Sequence, residues 1–326
     1  MLEHGGQLRN AAVRYNIPLQ DWLDLSTGIN PIPFIPPPIP VSVWAQLPQE
    51  NDDLEQAAAD YYGTADLLVV AGSQAAIQAL PRLRKKSRVG VLHPGYAEHA
   101  HAWQRCGHEV LALNENQIEE QLNTLDVLVL MQPNNPTGAL FTHAQLHGWH
   151  AQLTQRAGWL VVDEAFIEAS EQRSIIQPVM PQGLIVLRSL GKFCGLAGAR
   201  VGFAAAHPTL LEPLRELLGP WPVCGPSRFV AQAALSDIAW QTTTRSRLQQ
   251  DGKRLAQLLH DASFAPVSGC GLFQWVITDQ AEKIHQQLAQ RGILTRLFSV
   301  PRSLRFGLPA SETDWARLHA ALEHTT

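Results

Sequence analysis

The feature that most constrains the fold is a series of six short apolar runs along residues 67–206, with helical patterns between them. Most of these runs are continuously apolar rather than alternating; they are Leu67–Ala71, Arg88–Leu92, Asp126–Met131, Trp159–Asp163, Leu184–Arg188 and Arg200–Ala206. Runs of this kind are typical of strands buried on both faces of a parallel sheet. Their alternation with helical segments predicts an α/β domain, with a mostly parallel central sheet flanked by helices.

Three segments are predicted along the 326 residues. Residues 1–40 form an N-terminal arm and part of a smaller domain, because the proline-rich stretch Asn30–Pro40 excludes regular helix or central strand. Residues 41–225 form the large domain. Residues 226–326 form a small α+β domain, whose first long helical pattern is expected to break within "SDIAWQTT" (residues 236–243).

Composition and charge exclude several classes of function. With a net charge of −4, no basic excess points to nucleic acid or an anionic membrane. No apolar run is long enough to span a membrane, and the N-terminus lacks a secretory pattern, so we expect a cytoplasmic protein. The four cysteines are scattered, which supports neither a disulfide framework nor a metal site. The histidines of His93–His101 are interpreted as surface and helix-cap residues.

Ligands of open α/β sheets bind at the carboxyl ends of the strands, so the residues after each run are the informative ones. After the first run, Gly72, Ser73 and Gln74 open a helix whose free N–H groups suit a phosphate. After the second run, Tyr96 is suited to stack on a planar ligand, or else packs in the core. After the third run, Asn135 offers a side-chain amide, or else belongs to a plain turn.

Two further strand ends carry charge. Asp163 closes an apolar run, where a carboxylate needs a cationic partner such as a protonated ring nitrogen. Lys192 lies in "SLGKFCGLAGARVG", flanked by Ser189 and Arg200, which both suit a phosphate. A desolvated lysine becomes a nucleophile for a carbonyl, although a surface lysine in a glycine loop is the alternative. Together these residues are the parts that pyridoxal 5′-phosphate needs.

The motifs "NNPTG", "VVDEAF" and "SLGKFCGLAGARVG", in this order, resemble the fold-type I aminotransferase superfamily of pyridoxal-phosphate enzymes, class I/II. The resemblance covers residues 25–308. Within the superfamily the chain is similar to the histidinol-phosphate aminotransferase branch. It most closely resembles the threonine-phosphate decarboxylase group of cobalamin biosynthesis, through the N-terminal "HGG", "LDLSTGINPIP" and the C-terminal "ILTRLF" and "SLRFGLP".

The resemblance implies roles for the strand-end residues. Lys192 bonds covalently to the cofactor aldehyde and moves protons, while Asp163 pairs with the pyridine nitrogen. Asn135 donates to the 3-oxygen of the ring, and Tyr96 stacks on the ring. The residues implied to hold the cofactor phosphate are Gly72, Ser73, Gln74, Ser189 and Arg200.

The resemblance also implies substrate-binding residues, namely His4, Gly5, Gly6, Asn30, Asn135, Arg296 and Arg305. Arg305 is expected to bind the substrate carboxylate, because a guanidinium matches a carboxylate bidentately. Arg296 is the candidate for the substrate phosphate, helped by His4 and the N-terminal glycines. Arg302 is close enough in sequence that the division of anions among the three arginines stays open. No metal is expected.

Two positions depart from the pattern of many relatives. Phe166 stands where they have a tyrosine, so one hydrogen bond to the ring oxygen is absent. Leu47-Pro48 stands where they have a Tyr-Pro pair that reaches the cofactor of a neighbouring subunit, which removes one partner of the cofactor phosphate. The resemblance nevertheless implies a homodimer with sites near the subunit interface.

The implied reaction is decarboxylation of O-phospho-L-threonine to 1-aminopropan-2-ol phosphate. Transamination of a phosphorylated or other small amino acid is the alternative, because the sequence does not reveal which bond at the α-carbon breaks. A non-catalytic scaffold that keeps the fold is the third interpretation, which Phe166 and Leu47 favour slightly and the retained Lys192 and Asp163 oppose.

Overall fold

The computed structural model describes residues 4–50 and 52–324, so the first three residues of the predicted arm lie outside the described residues. Thirteen α-helices occur in this part of the chain: α1 (Leu8–Tyr15), α2 (Val41–Ala45), α3 (Leu54–Tyr62), α4 (Ser73–Ala79), α5 (Ala97–Arg105), α6 (Ile118–Gln121), α7 (His143–Thr154), α8 (Leu190–Phe193), α9 (Pro208–Leu218), α10 (Gly225–Ser236), α11 (Ile238–Asp261), α12 (Ala281–Gln290) and α13 (Glu312–Leu322). The strands are β1 (Leu23–Asp24), β2 (Leu67–Val70), β3 (Arg88–Leu92), β4 (Glu109–Leu113), β5 (Val127–Met131), β6 (Trp159–Asp163), β7 (Leu184–Ser189), β8 (Gly202–Ala206), β9 (Val267–Cys270), β10 (Phe273–Ile277), β11 (Ile293–Leu294), β12 (Arg296–Ser299) and β13 (Arg302–Gly307).

The predicted α/β fold is confirmed by a seven-stranded sheet in the order β2-β8-β7-β6-β5-β3-β4. All neighbouring pairs are parallel except those made by β8, which runs antiparallel to β2 and β7. Its central strands β5, β6 and β7 are buried almost throughout, because helices cover both faces. The parallel register brings the carboxyl ends of β5, β6 and β7 to one edge of the sheet.

The six predicted runs all contain strands, with small differences at their ends. The strand expected from Arg200 begins at Gly202, because Arg200 adopts a left-handed backbone conformation with φ 54°. Strand β4 lies outside the predicted runs. It occupies the edge of the sheet, and most of its residues are at least partly exposed, so it lacks the signature of a doubly buried strand.

The C-terminal part contains a second, antiparallel sheet in the order β12-β13-β10-β9. The N-terminal segment joins this part through a parallel pairing of β1 with β11. The long helical pattern does break where expected, since Asp237 separates α10 from α11 and its carboxylate accepts a hydrogen bond from the Trp240 N–H. Helix α10 itself packs on α2 and α3.

Two ion pairs made by one buried arginine hold α10 to the start of α3. The Arg228 side chain is 5 % exposed and binds Asp52 and Glu55 at 2.6 and 2.7 Å.

The proline-rich stretch forms neither helix nor strand, as predicted. Within residues 4–50 and 52–324, no helix combines the length and apolar character that a bilayer span needs.

Candidate active site

A cavity of about 610 Å³ lies at the carboxyl ends of the parallel strands. It is bounded by strand-end loops of the large sheet, by β12 and β13, and by the N-terminal segment. The predicted site residues among its lining are His4, Gly5, Gly6, Ser73, Gln74, Tyr96, Asn135, Asp163, Ser189, Lys192, Arg200, Arg296 and Arg305. Residues from every part of the chain therefore meet at one edge of the sheet.

Lys192 projects into this cavity from α8, the single helical turn that follows β7. Its Nζ lies 5.6 Å from the centre of the Phe166 ring. Burial, and then the positive charges of Arg305 and Arg200, lower the pKa of Lys192 to about 8, while Asp163 opposes the shift. An amine with this pKa is unprotonated in a substantial fraction of molecules near neutral pH, which is the state that attacks a carbonyl.

Asp163 ends β6 and is almost completely buried. One carboxylate oxygen accepts a hydrogen bond from the Ala165 N–H at 3.0 Å, and the other lies 3.0 Å from Nε2 of His99. His99 is itself buried on α5, so its interpretation as a surface or helix-cap histidine is wrong. In the sequence, His99 follows Tyr96 by three residues, and residues three apart on a helix lie on the same face. This spacing is the signal that could have revealed that His99 faces the site.

Arg305 lies on β13 and is buried against the end of the large sheet. Its guanidinium donates to Oδ1 of Asn135 and to the Ser26 carbonyl at 2.7 Å, while its Nε has no hydrogen-bond partner. Burial, and then the charge of Arg296, lower the pKa of Arg305 to about 10. A buried guanidinium with no carboxylate partner is costly, so the arrangement is suited to an incoming anion.

Arg296 and Arg305 are directly opposite each other in the antiparallel pairing of β12 with β13. Like charges in this position repel, and an anion held between or beside them removes the repulsion. Both side chains line the cavity. Arg302 is exposed, lies opposite Ser299 in the register of the same two strands, and does not line the cavity.

A second cationic corner of the cavity is formed by Arg200 with the residues around Ser73. Gly72 has φ +69°, and a Cβ added there would lie 2.6 Å from an Nη atom of Arg200. Strand β8 approaches just as closely, since a Cβ on Gly202 would lie 2.5 Å from the Ser73 nitrogen. Ser189 also lines the cavity. Glycine at position 72 thus lets a guanidinium lie against the start of α4.

A hydrogen-bonded chain closes the other side of the cavity. The Tyr96 hydroxyl donates to Gln74 at 3.2 Å, and Gln74 donates to Glu98 at 2.7 Å. The second oxygen of Glu98 lies 2.8 Å from Nε2 of His4. Burial and the nearby Glu98 raise the pKa of Tyr96 to about 12. Glu98 was not among the predicted residues, and it fastens the N-terminal segment to α5.

Asn30 is the one predicted substrate-binding residue that the structure leaves away from the cavity lining. Its side chain is buried behind the Lys192 turn. Of the two departures, Phe166 lines the cavity and packs edge-on against Phe273, with ring centres 5.1 Å apart. Leu47 is 65 % exposed on the described chain.

These residues fit the chemistry of pyridoxal 5′-phosphate. Lys192, Arg200 and Arg305 all line the cavity, and among the described residues none of the three has a carboxylate within ion-pair distance. The Nε of Arg305 is a buried donor without a hydrogen-bond partner. The cavity can therefore accept several negative charges, and Asp163 offers one carboxylate for a protonated ring nitrogen. No cluster of metal-ligating side chains occurs among residues 4–50 and 52–324.

Comparison with known proteins gives consistent matches. Residues 45–323 match the family model for aminotransferase class I and II. A threonine-phosphate decarboxylase of Pseudomonas aeruginosa is 56% identical over 99% of this chain and 97% of its own length. Another, from a Sinorhizobium species, is 38% identical over 98% of this chain and 97% of its own length.

The fold also matches solved structures. The crystal structure of histidinol-phosphate aminotransferase from Sinorhizobium meliloti in complex with pyridoxal-5′-phosphate superposes with a TM-score of 0.81. The match covers 99% of this chain and 95% of that one, at 20% sequence identity. The spatial arrangement of strands and helices is therefore shared far beyond the range in which the sequences are alike.

Proposed function

The chain belongs to the class I and II aminotransferase family, and we propose that within this family it is a lyase that decarboxylates O-phospho-L-threonine. The structural observation that carries the proposal is the pair of opposed arginines, Arg296 and Arg305, at the cavity. The identity of 56% to a threonine-phosphate decarboxylase supports the same substrate. The product is 1-aminopropan-2-ol phosphate.

The substrate matches the charge of the cavity. O-phospho-L-threonine carries a carboxylate and a phosphate of nearly two negative charges at neutral pH. We assign the substrate carboxylate to Arg305, which also donates a hydrogen bond to Asn135. We assign the substrate phosphate to Arg296, together with His4, Gly5 and Gly6. An analogue without the phosphate would lack the charge-assisted hydrogen bonds that this group accepts, which is the basis of discrimination.

Pyridoxal 5′-phosphate is the cofactor of the reaction and, when bound, supplies an electron-withdrawing ring that accepts the electron pair released as CO₂ departs. The residues that would hold it are Asp163 at the ring nitrogen, Asn135 at the ring oxygen, Tyr96 on the ring face, and the phosphate ligands Gly72, Ser73, Gln74, Ser189 and Arg200. His99 keeps the Asp163 carboxylate oriented.

Lys192 is the residue that bonds covalently to the cofactor and transfers protons. With a pKa of about 8, its amine is available to attack the cofactor aldehyde, and its ammonium form is available to donate a proton. In the proposed reaction the bond from the α-carbon to the carboxyl carbon breaks. Lys192 then delivers the proton that replaces the carboxyl group at the α-carbon.

The proposal also covers the oligomeric state of the enzyme, its location in the cell and its pathway. Four apolar side chains at the end of the N-terminal arm and directly after it are strongly exposed, namely Ile35, Val41, Trp44 and Leu47. Exposed apolar clusters of this kind support an interaction surface, and we infer that a second copy of the chain covers it in a homodimer. The proposed substrate is in keeping with a cytoplasmic enzyme of cobalamin biosynthesis.

The decisive experiment supplies the reconstituted enzyme with O-phospho-L-threonine, with and without 2-oxoglutarate, and identifies the products by mass. We expect CO₂ and 1-aminopropan-2-ol phosphate in both cases. A 2-oxo acid formed only with 2-oxoglutarate would identify an aminotransferase instead. The Lys192→Ala variant should abolish both turnover and borohydride-trapped cofactor, and turnover that survived this change would overturn the role of Lys192.

A further inference from the structure

The turn that carries Lys192 depends on a distant segment for its hydrogen bonds. Helix α8 is a single turn, so few of its carbonyl groups find partners within it; the Lys192 carbonyl accepts locally from the Gly195 N–H at 3.2 Å. Three successive carbonyls accept bonds from the segment Asn30–Phe34. The Lys192 carbonyl accepts from the Asn30 N–H at 3.0 Å, and the Cys194 carbonyl accepts from the Phe34 N–H at 2.9 Å. Between them, the Phe193 carbonyl accepts from Nδ2 of Asn30 at 2.8 Å.

Asn30 is held in place from its other side. Its Oδ1 accepts a hydrogen bond from an Nη atom of Arg247 at 2.8 Å and another from the Ile32 N–H at 3.0 Å. Arg247 lies on α11 and forms an ion pair with Asp251 at 3.1 Å. Asn30 is 2 % exposed, and both ends of its amide are satisfied within the protein.

The two segments also touch without any intervening side chain. Gly195 has φ +69°, and a Cβ added there would lie 2.7 Å from the Cα of Pro33 and 2.9 Å from the Asn30 carbonyl oxygen. The close approach lets Asn30 reach the end of α8. It places the backbone of Asn30 in contact with the loop that directly follows the Lys192 turn.

We propose that Asn30 is a positioning residue for Lys192: its backbone N–H and its amide cap the lysine turn, and Arg247 orients that amide. The proposal rests on the proposed function only in taking Lys192 as the reacting lysine. It assigns Asn30 to the rear of the site rather than to the substrate. The N-terminal segment is thereby part of the machinery that fixes the reactive amine.

The test compares Asn30→Asp, Asn30→Ala and Arg247→Gln with the unchanged protein and with Asn123→Asp, the same chemical change at an exposed asparagine. Asp at position 30 keeps the acceptor for Arg247 but cannot donate to the Phe193 carbonyl. Ala loses all three side-chain hydrogen bonds without adding charge. The readout is the pH dependence of Lys192 acetylation in the apoprotein, measured by mass spectrometry of the labelled peptide.

We expect half-maximal labelling of Lys192 near pH 8 in the unchanged protein and in Asn123→Asp. A loosened turn exposes the amine to water, which removes the main cause of its lowered pKa, while Asp163, Arg200 and Arg305 remain around it. Asn30→Asp and Asn30→Ala should therefore lower the unprotonated fraction at pH 7.5 by about threefold to tenfold. Arg247→Gln should give a smaller change in the same direction.

Three results would overturn the proposal. One is unchanged labelling in folded Asn30→Ala with a raised KM for O-phospho-L-threonine, which would make Asn30 a substrate ligand. The second is a lowered melting temperature with unchanged labelling, which would leave only a structural role. The third is a shift in Asn30→Asp alone, which would be a charge effect. Because labelling needs neither cofactor nor substrate, absence of decarboxylase activity would contradict the proposed function and leave this result standing.

Discussion

At the scale of single residues, the site is a group of cations arranged around one well-held carboxylate. Lys192, Arg200, Arg296 and Arg305 all line the cavity, while Asp163 is bonded to His99 and to a backbone N–H. This excess of positive charge is the physical reason why the cavity suits ligands with several anionic groups. Burial, and then the charges of Arg305 and Arg200, lower the pKa of the reacting amine of Lys192.

The His99→Ala variant tests how Asp163 is held. Removing the imidazole leaves a buried carboxylate oxygen without its partner, at a cost of about 1–3 kcal/mol. We expect the dissociation constant of pyridoxal 5′-phosphate, measured by fluorescence titration, to rise at least about tenfold, which is ~1.4 kcal/mol. The control is His101→Ala, an exposed histidine on the same helix. Equal affinities for the two variants would show that Asp163 needs no support from His99.

The pH dependence of Lys192 reactivity tests the charges around it. Because the pKa is lowered to about 8, the reactive unprotonated form should increase as the pH rises through 8 and level off above it. Arg305→Met removes the second cause of the shift, so the midpoint of Lys192 labelling in the apoprotein should move upward. Arg302→Met, an exposed arginine on the same strand, should leave it unchanged. A midpoint unaffected by Arg305→Met would contradict this account.

At the scale of elements, the ends of strands and the beginnings of helices decide the geometry. The doubly buried strands β5, β6 and β7 could be predicted from their apolar runs, and so could the residues that follow them. The edge strand β4 could not, because a partly exposed edge lacks that pattern. Helix α4 ends earlier than its apolar pattern, since Pro81 cannot continue the hydrogen bonding and the chain goes on as a 3₁₀ turn.

The Gly72→Ala variant tests the contact between the start of α4 and Arg200. The added Cβ would meet the guanidinium at 2.6 Å, so Arg200 must move. We expect the dissociation constant of pyridoxal 5′-phosphate to rise by about tenfold or more, since a charge-assisted phosphate contact contributes about 1.5–3 kcal/mol. Gly63→Ala is the matched control, because Gly63 has a similar φ of +78° but open space around it. Equal losses of affinity would indicate backbone strain alone.

At the scale of the whole molecule, the N-terminal arm links otherwise separate parts. It pairs with β11 through β1 and caps the Lys192 turn through Asn30, and it leads into the exposed apolar residues around Trp44. The sequence predicted an extended arm, but its bonding to the lysine turn depends on residues more than 150 positions away.

The Trp44→Ser variant tests whether the segment that directly follows the arm packs against a second copy of the chain. Trp44 is 65 % exposed on the described chain, and burying it in a dimer would contribute on the order of 2–3 kcal/mol. Sedimentation equilibrium should show a dimer dissociation constant at least about tenfold higher than for the unchanged protein. Val179→Ser, at a 74 % exposed valine outside the arm, is the control. An unaltered constant, or a monomeric unchanged protein, would contradict the proposed interface.

Local patterns in the amino-acid sequence were enough to predict the α/β class, the family and the residues at the strand ends, because none of these depends on how distant segments pack. Tertiary structure alone decided which side chains meet. It joined His99 to Asp163, set Arg296 opposite Arg305, and put Asn30 behind Lys192 rather than in the cavity. Each of these contacts joins different elements, and their register and approach follow from packing, which no local pattern specifies.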